Sequence, residues 1–574
     1  MFDRVGGHIH IHTHPIKNIR CGVDAEIDAE SYSALRKRKE HNMVSESIVA
    51  MMNEYRKTLN KVNSLQLTEN GATGLSTSGK NLVDLNFSVP SNHNNVSGKN
   101  LDKFVNVLNE DKISAIKWMF YLRDIREGLG ERDSFVKLFN ALYVYDEKSA
   151  LKVLYLIPEY GRWKDVIDIL AISSDNCTLS DEIYSLIETQ IKKDLINMHD
   201  GKSVSLLAKW LPSINASKKT RRVAIRVAKK LGLYYKAYRK MLSSLRRYID
   251  VTEVKTCGDK WNEIDYNKVS SNANARYVKA FMRHDPERRR KYLEDLASPV
   301  GAAVMHASNL YPHEVYAKYN KGRWSRNTAV EDPGIEALWA NLKDIPTTGN
   351  TMVVCDGSGS MTTTIKGTNN IMAIDVSRSL SVFFSERNTG EYKDKVIEFS
   401  STPRYIDLSG CKTLADKYNV MNQFDDCSNT NLEAVFDLLL ATALKNKLPQ
   451  SELPQRILIV SDMEFDQACE FTTSYYSTAS EHNEIMAKYR TLFETIKTRW
   501  DNAGYQMPNI VFWNVNSRTQ TIPVSYNEAG VILVSGFSVN NVKMVLSGEV
   551  DPWMALKSVL DSDRYLPVEK ALGD

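Results

Sequence analysis

The chain has 574 residues, of which 43% are hydrophobic and 25% charged, and its net charge is +4; this composition fits a soluble globular protein of two or three domains with sizeable cores. It holds no apolar run of roughly eighteen residues, and its N-terminus lacks the basic, apolar and small-residue regions of a signal peptide, so no membrane association is expected. Seven cysteines, at 21, 177, 257, 355, 411, 427 and 469, form no C-x-x-C pair, which argues for reduced thiols in the cytoplasm and against a zinc knuckle or a disulfide framework.

The modest net charge hides a segregation. Residues 201–330 carry 28 Lys and Arg against 10 Asp and Glu, an excess of 18 positive charges, which leaves the rest of the chain at −14. An imbalance localised in this way points to a region that binds a polyanion.

Residues 1–40 read as an irregular lead-in. Within it, His8, His10, His12 and His14 alternate, so an extended backbone would place four imidazoles on one face. Such a row could hold a transition metal, but nothing else supports a site and a solvated or edge segment is the simpler reading. A helix is expected over 43–65. The stretch Gly74 to Asn81 approaches a phosphate-binding G-x-x-x-x-G-K-[ST] loop, yet Asn81 stands where the magnesium-binding hydroxyl belongs and no good buried strand precedes it, so nucleotide binding is not expected.

The span 41–345 reads as an α-helical repeat domain, interrupted at Gly128-Leu129-Gly130, Pro158, Gly161, Pro212, Gly258 and Pro286. Phe135, Leu138, Phe139 and Leu142 recur at the spacing of one buried helical face. No strict period is visible, and an irregular, HEAT-like stack of helix pairs is the expected architecture.

Between Gly201 and Ile249 there is no acidic residue, while Lys and Arg number fourteen. On a helix, Arg222, Arg226, Lys229 and Lys230 share one arc, and Ala224, Val227, Ala228 and Leu231 lie opposite. The apolar side can dock on neighbouring helices and the basic side is left outward. Lys218 and Lys219 precede this run; Arg239, Lys240, Arg246 and Arg247 follow among Tyr234, Tyr235, Tyr238 and Tyr248, offering cations for phosphates and rings for unpaired bases. These ten basic residues are the candidate RNA contacts, although a tyrosine taken singly is more often core.

The span 346–574 alternates strands and helices: strands over 351–356, 395–400, 456–462, 509–515 and 530–535, with helices over 370–387, 430–445 and 480–503. This is a doubly wound α/β order, mostly parallel. Its first strand, Val353-Val354-Cys355, ends in Asp356-Gly357-Ser358-Gly359-Ser360. A carboxylate and two hydroxyls are hard oxygen donors that suit Mg²⁺ far better than Zn²⁺. A serine nucleophile would need G-x-S-x-G spacing and a nearby base; the spacing is wrong, and no histidine lies between His313 and His482.

The D-x-S-x-S pattern after a hydrophobic strand resembles the metal-ion-dependent adhesion site (MIDAS) of von Willebrand factor A domains. That resemblance implies a Rossmann-like A domain and a Mg²⁺ (or Mn²⁺) held, directly or through water, by Asp356, Ser358, Ser360, Thr430 and Asp462, with Asp466 as a further partner. It also implies an open coordination position for a carboxylate from a protein ligand. The helical and A-type halves together resemble the Ro autoantigen (TROVE-type) architecture, and more closely a family of plant, fungal and phage proteins built the same way. The segments that carry this are FYLRDIREGLGERDSF (120–135), LIPEYGRWKDVIDIL (156–170), WNEIDYNKVSSNANARYVKAFMRHDPERRRKYL (261–293) and the loop at 356–361.

What the resemblance implies is a non-enzymatic, cytoplasmic protein (host cytoplasm if phage-encoded), possessing a ring of helix pairs and binding small noncoding or single-stranded RNA. In that picture Arg123, Arg126, Glu131 and Arg132 serve either as interhelical salt-bridge formers or as RNA contacts, structural wiring being the favoured role. The rival from another class is a protein-interaction or assembly module, of the phage-virion-associated kind, acting through the A-domain metal site.

Overall fold

The computed structural model describes residues 65–67, 73–90, 96, 98–298, 300–320, 328–344, 349–365, 371–400, 402–424, 432–463, 496–517, 519–525, 530–545 and 551–573. The histidine run, Thr430, Asp466 and the side chain of Lys219 therefore lie outside the described residues, as do the expected helix over 43–65 up to its last residue and most of that over 480–503. Leu65 is not helical but opens β1 (Leu65–Leu67), which pairs antiparallel with β2 (Thr73–Leu75).

A helical region follows. It runs through α1 (Asn81–Ser88), α2 (Gly98–Glu110), α3 (Lys112–Arg123), α4 (Asp133–Tyr145), α5 (Glu147–Val153), α6 (Trp163–Ile172) and α7 (Thr178–His199). The basic pair α8 (Lys218–Lys230) and α9 (Tyr235–Ile249) comes next, then α10 (Ser271–His284), α11 (Pro286–Ala297) and α12 (Pro333–Ala340). The expected apolar face of α4 is buried: Phe135, Leu138, Phe139 and Leu142 are fully inaccessible. Local chemistry fixes several starts. Asp111 and Asp146 accept the amides of Ser114 and Ser149 as N-caps, and Pro286 and Pro333 occupy first turns, where a missing N–H costs nothing.

The helices are wired by charged side chains, buried at Arg123 and Glu131 and exposed at Arg126. Arg123 Nε donates to Asp165 Oδ2 at 2.7 Å, and both side chains are inaccessible to solvent. Arg126 bonds to the Glu159 carbonyl, and Glu131 is buried beside Ser134. These residues of the RDIREGLGERD segment do the structural work expected of them.

The second half is a mixed six-stranded sheet, ordered β5-β4-β3-β6-β7-β8, with strands β3 (Asn350–Asp356), β4 (Lys395–Phe399), β5 (Arg404–Asp407), β6 (Pro454–Ser461), β7 (Asn509–Asn514) and β8 (Val531–Ser535). All neighbours are parallel except β4 and β5. Strand β3 and all of β8 are buried, as expected of strands covered on both faces. Helices α13 (Ala373–Ser385), α14 (Leu414–Met421) and α15 (Leu432–Asn446) belong to this half.

Sequence distance does not keep the halves apart. The first helix, α1, lies on the ends of the last two strands: Asn514 Nδ2 of β7 donates to the Phe87 carbonyl at 3.1 Å and Ser535 Oγ of β8 to the Asn86 carbonyl at 2.5 Å. The C-terminal helices α16 (Pro552–Leu560) and α17 (Leu566–Gly573) return to the helical region. Lys117 sits 2.6 Å from Glu569, Arg564 Nε donates to Asp124 at 2.8 Å, and Tyr565 stacks on Tyr160 at 5.8 Å. Gly128 marks a close approach in the same joint, since its carbonyl accepts from Ser538 and Asn540, both at 2.8 Å, and a Cβ there would meet the Tyr121 carbonyl oxygen at 2.0 Å. Val62–Asp574 accordingly forms one compact unit. Among the described residues no helix is long and apolar enough to cross a membrane.

Candidate functional site

Two places carry chemistry. The first is the carboxyl edge of the sheet. From β3 the chain steps to β4 on one side and later to β6 on the other, so the strand order reverses between β3 and β6. A crevice at such a reversal is where open α/β sheets present ligands. The parallel register sets Cys355 beside Val460, and the next residue of each strand therefore brings Asp356 beside Ser461. Ser461 Oγ donates to Asp356 Oδ2 at 2.6 Å, and the Ser358 amide donates to Asp356 Oδ1 at 2.9 Å.

Asp462 follows, buried like Asp356, and the two hydroxyls Ser358 and Ser360 stand half-exposed with their oxygens 3.0 Å apart. That separation is about the spacing of neighbouring oxygens around Mg²⁺ bound at ~2.1 Å. Four of the five expected ligands are thus described, and all four lie at the ends of the adjacent strands β3 and β6 or in the loops that follow them. Among the described residues no group of three or more His, Cys, Asp and Glu could hold a metal, so any ion here would rely on hydroxyl oxygens as much as on carboxylates.

Ser461 was missed by sequence reasoning. Its role becomes visible only with the β3–β6 register, because nothing local distinguishes it from any serine ending a strand. Its oxygen also accepts from the Met463 amide at 3.1 Å, and Met463 holds a left-handed backbone, φ 61°. A non-glycine residue in that region stores strain of the kind found beside ligand sites.

The resemblance of Gly74–Asn81 to a phosphate loop ends with its geometry. Asp84 of α1 accepts the Ser78 amide at 2.8 Å, the Ser78 hydroxyl and the Thr77 hydroxyl. The loop's donors are thus occupied by the protein's own carboxylate.

The second place is the surface of α8 and α9. Of the expected apolar arc Ala224, Val227 and Ala228 are buried and Leu231 is half-buried, with Val223 buried beside them, while Lys218, Arg222 and Lys229 are exposed and have no ion-pair partner among the described residues. Arg226 and Lys230 depart from expectation. Arg226 is half-buried, 2.5 Å from Asp175, and donates to the Tyr184 hydroxyl at 3.0 Å and the Leu170 carbonyl at 3.1 Å. Lys230 lies 2.5 Å from Asp181. The acids come from α7 and the turn before it, roughly fifty residues away in sequence, where a local charge count cannot see them.

On α9, Tyr238 is core and its hydroxyl donates to the Pro212 carbonyl at 3.0 Å. Arg246 also turns inward. It donates to the carbonyls of Ala208 at 2.8 Å and Leu211 at 2.6 Å, and burial pulls its guanidinium below its usual value. Arg239, Lys240 and Arg247 are exposed with no ion-pair partner among the described residues, and so is Lys236. Tyr234 is 88% exposed, Tyr235 49% and Tyr248 40%. Of the ten basic candidates, three are therefore tied into the fold, six face solvent and one side chain is not described.

The described architecture is a helical region followed by an open, doubly wound α/β sheet. Comparison with known proteins adds four findings. Residues 350–563 match a family model described as a domain of unknown function (DUF7788), and residues 217–345 match a second, also a domain of unknown function (DUF2828). The chain is similar to "Uncharacterized protein L728" of Acanthamoeba polyphaga mimivirus, 28% identical over 542 residues, with 88% of this chain and 89% of that protein covered. The crystal structure of the Deinococcus radiodurans Ro (RSR) protein aligns over 82% of this chain and 90% of its own at 11% identity, with a TM-score of 0.32, a score that does not by itself establish a shared fold.

Proposed function

We propose that this protein is a non-enzymatic, Ro-like RNA-binding protein of the cytoplasm that takes small noncoding or single-stranded RNA on the face of α8 and α9. One observation carries the reading. Lys218, Arg222, Lys229, Lys236, Arg239, Lys240 and Arg247 project from two adjacent helices without a carboxylate partner among the described residues. Uncompensated cations repel one another and are relieved by a polyanion; a face meant only for water would mix signs. The exposed Tyr234, Tyr235 and Tyr248 supply flat apolar surface in the same place, which suits unpaired bases.

The α/β half, in this reading, is a von Willebrand factor A domain whose Asp356, Ser358, Ser360 and Asp462, with Thr430, hold Mg²⁺ or Mn²⁺. The ion would supply one coordination position to a carboxylate from a protein ligand, and because Mg²⁺ sheds water reluctantly that carboxylate must arrive well aimed. Ser461 holds Asp356 in place for the task. The buried carboxylates and the close hydroxyl pair also favour the second reading, in which recruitment of an acidic protein ligand is the primary role.

The deciding experiment is crosslinking and sequencing of RNA copurified with the full chain, together with a salt titration. If six to ten phosphates are neutralised, affinity should fall by about a thousandfold or more between roughly 50 and 200 mM salt. Nucleic-acid-free protein with a flat salt response would leave only the protein-recruitment reading.

A further inference from the structure

The outward side of α9 does more than display charge. Between it and the segment before α8 runs a groove of about 360 Å³, lined by Ser213, Asn215, Lys236, Arg239, Lys240 and Ser243, with Arg246 at its wall and no carboxylate among its described lining residues. Lys236, Arg239 and Lys240 are exposed and have no ion-pair or hydrogen-bond partner among the described residues. Arg246 is pinned by the Ala208 and Leu211 carbonyls, so its charge stays fixed at the groove when a ligand arrives. Tyr235 lies one helical turn before Arg239, and Tyr234 stands just ahead of it at the start of the helix.

We propose that this groove is a strand-form selector: it seats a backbone phosphate of an unpaired RNA strand against Lys236, Arg239 and Lys240 while an adjacent base stacks on Tyr235 or Tyr234. The inference rests on the RNA-binding reading and narrows it to one strand form and one seat. Neutral donors from Ser213, Asn215 and Ser243 complement a phosphate, which offers several acceptor oxygens. The rings decide strand form, because a duplex keeps the faces of its bases inside its own stack and leaves the tyrosines nothing to cover. The helix runs about 22 Å, at 1.5 Å per residue, with Arg247 near its far end, a track longer than a single nucleotide.

The test uses the full chain, a labelled oligouridine of about a dozen nucleotides, a blunt RNA duplex of similar length and polyglutamate as a competing polyanion. The native protein should prefer the single strand, and polyglutamate should compete poorly. Combined Tyr234→Ala and Tyr235→Ala should weaken single-strand binding roughly tenfold and leave duplex binding nearly unchanged, while the Tyr→Phe pair retains affinity. Arg239→Gln with Lys240→Gln should reduce the slope of log affinity against log salt by about one. Equal binding of both strand forms, indifference to the alanine pair, or polyglutamate competing as well as RNA would overturn the selector while leaving RNA binding intact. A native protein that binds neither strand form would overturn both.

Discussion

Helices α8 and α9 are neighbours of similar composition, yet their cations do different work. On α8, Arg226 and Lys230 are matched by Asp175 and Asp181 of the α7 region, and Arg226 also bonds to a tyrosine hydroxyl and a carbonyl. On α9 only Arg246 turns inward, and it meets carbonyls rather than carboxylates. The lesson is that a basic run is not one object: a guanidinium partly withdrawn from water must be satisfied by the fold, and only those left in water are available to a ligand.

The largest effect expected is at the most buried example of fold-serving charge. Asp165→Ala leaves Arg123 inaccessible to solvent without its carboxylate, and breaking such a pair costs about 3–5 kcal/mol. Chemical denaturation of the full chain should show a loss of unfolding free energy of that size, seen as a lowered midpoint, and an unshifted midpoint would mean that water reaches Arg123. Next comes Arg226→Ala, which removes an ion pair and two well-formed hydrogen bonds from a half-buried site and should cost about 1–3 kcal/mol of stability. Its effect on RNA affinity should be smaller than that of Arg222→Glu with Lys229→Glu, which should weaken RNA binding severalfold and leave the denaturation midpoint alone. If Arg226 and Arg222 prove interchangeable in both measurements, the distinction between fold-serving and ligand-serving cations fails.

How much of this could be read beforehand follows from the range of each interaction. The buried face of α4 and the apolar arc of α8 are set by spacing within one helix, and both were legible. So was the end of β3, because an apolar run stopping at Asp356 announces a sheet edge. The partners of Arg226 and Lys230 were not, since they arrive from another helix, and neither was Ser461, whose contact with Asp356 depends on strand register. The return of α16 and α17 to the helical region was hidden for the same reason: Lys117 and Glu569 are separated by most of the chain.

The sheet edge offers a comparison of its own, between a carboxylate held rigidly and one left to an ion. Asp356→Ala should abolish a Mg²⁺-dependent rise in melting temperature if the oxygens gather an ion there, since a ligand that binds only the folded state stabilises it. Ser461→Ala should reduce that rise without abolishing it, because Asp356 keeps its bond from the Ser358 amide. RNA affinity should be unchanged in both. A melting temperature indifferent to Mg²⁺ in the native chain would remove the metal from this reading and leave the basic face standing.

The smallest effect is one of pH, and it separates the two kinds of surface most cleanly. Burial would raise the Asp146 carboxyl, but the Lys112 ammonium 2.9 Å away and the hydroxyl and amide of Ser149 outweigh it and hold the group at about 2. A carboxyl held lower in the folded chain than its ordinary value of about 3.9 stabilises the fold fully above that value. The contribution fades as pH falls from about 4 towards 2, where the folded form takes up the proton too. Because the pair is largely open to solvent, the loss should be under about 1 kcal/mol. Asp146→Asn should therefore lower stability at neutral pH by up to that amount and flatten the acid limb of the stability profile slightly, the two profiles meeting near pH 2. The exposed cations of α9 have no ion-paired carboxylate among the described residues, so RNA affinity should hold constant from about pH 8 to 5, a range in which lysine and arginine stay charged. Affinity that rises steeply over that interval would reveal an acid close to the groove and return α9 to the class of α8.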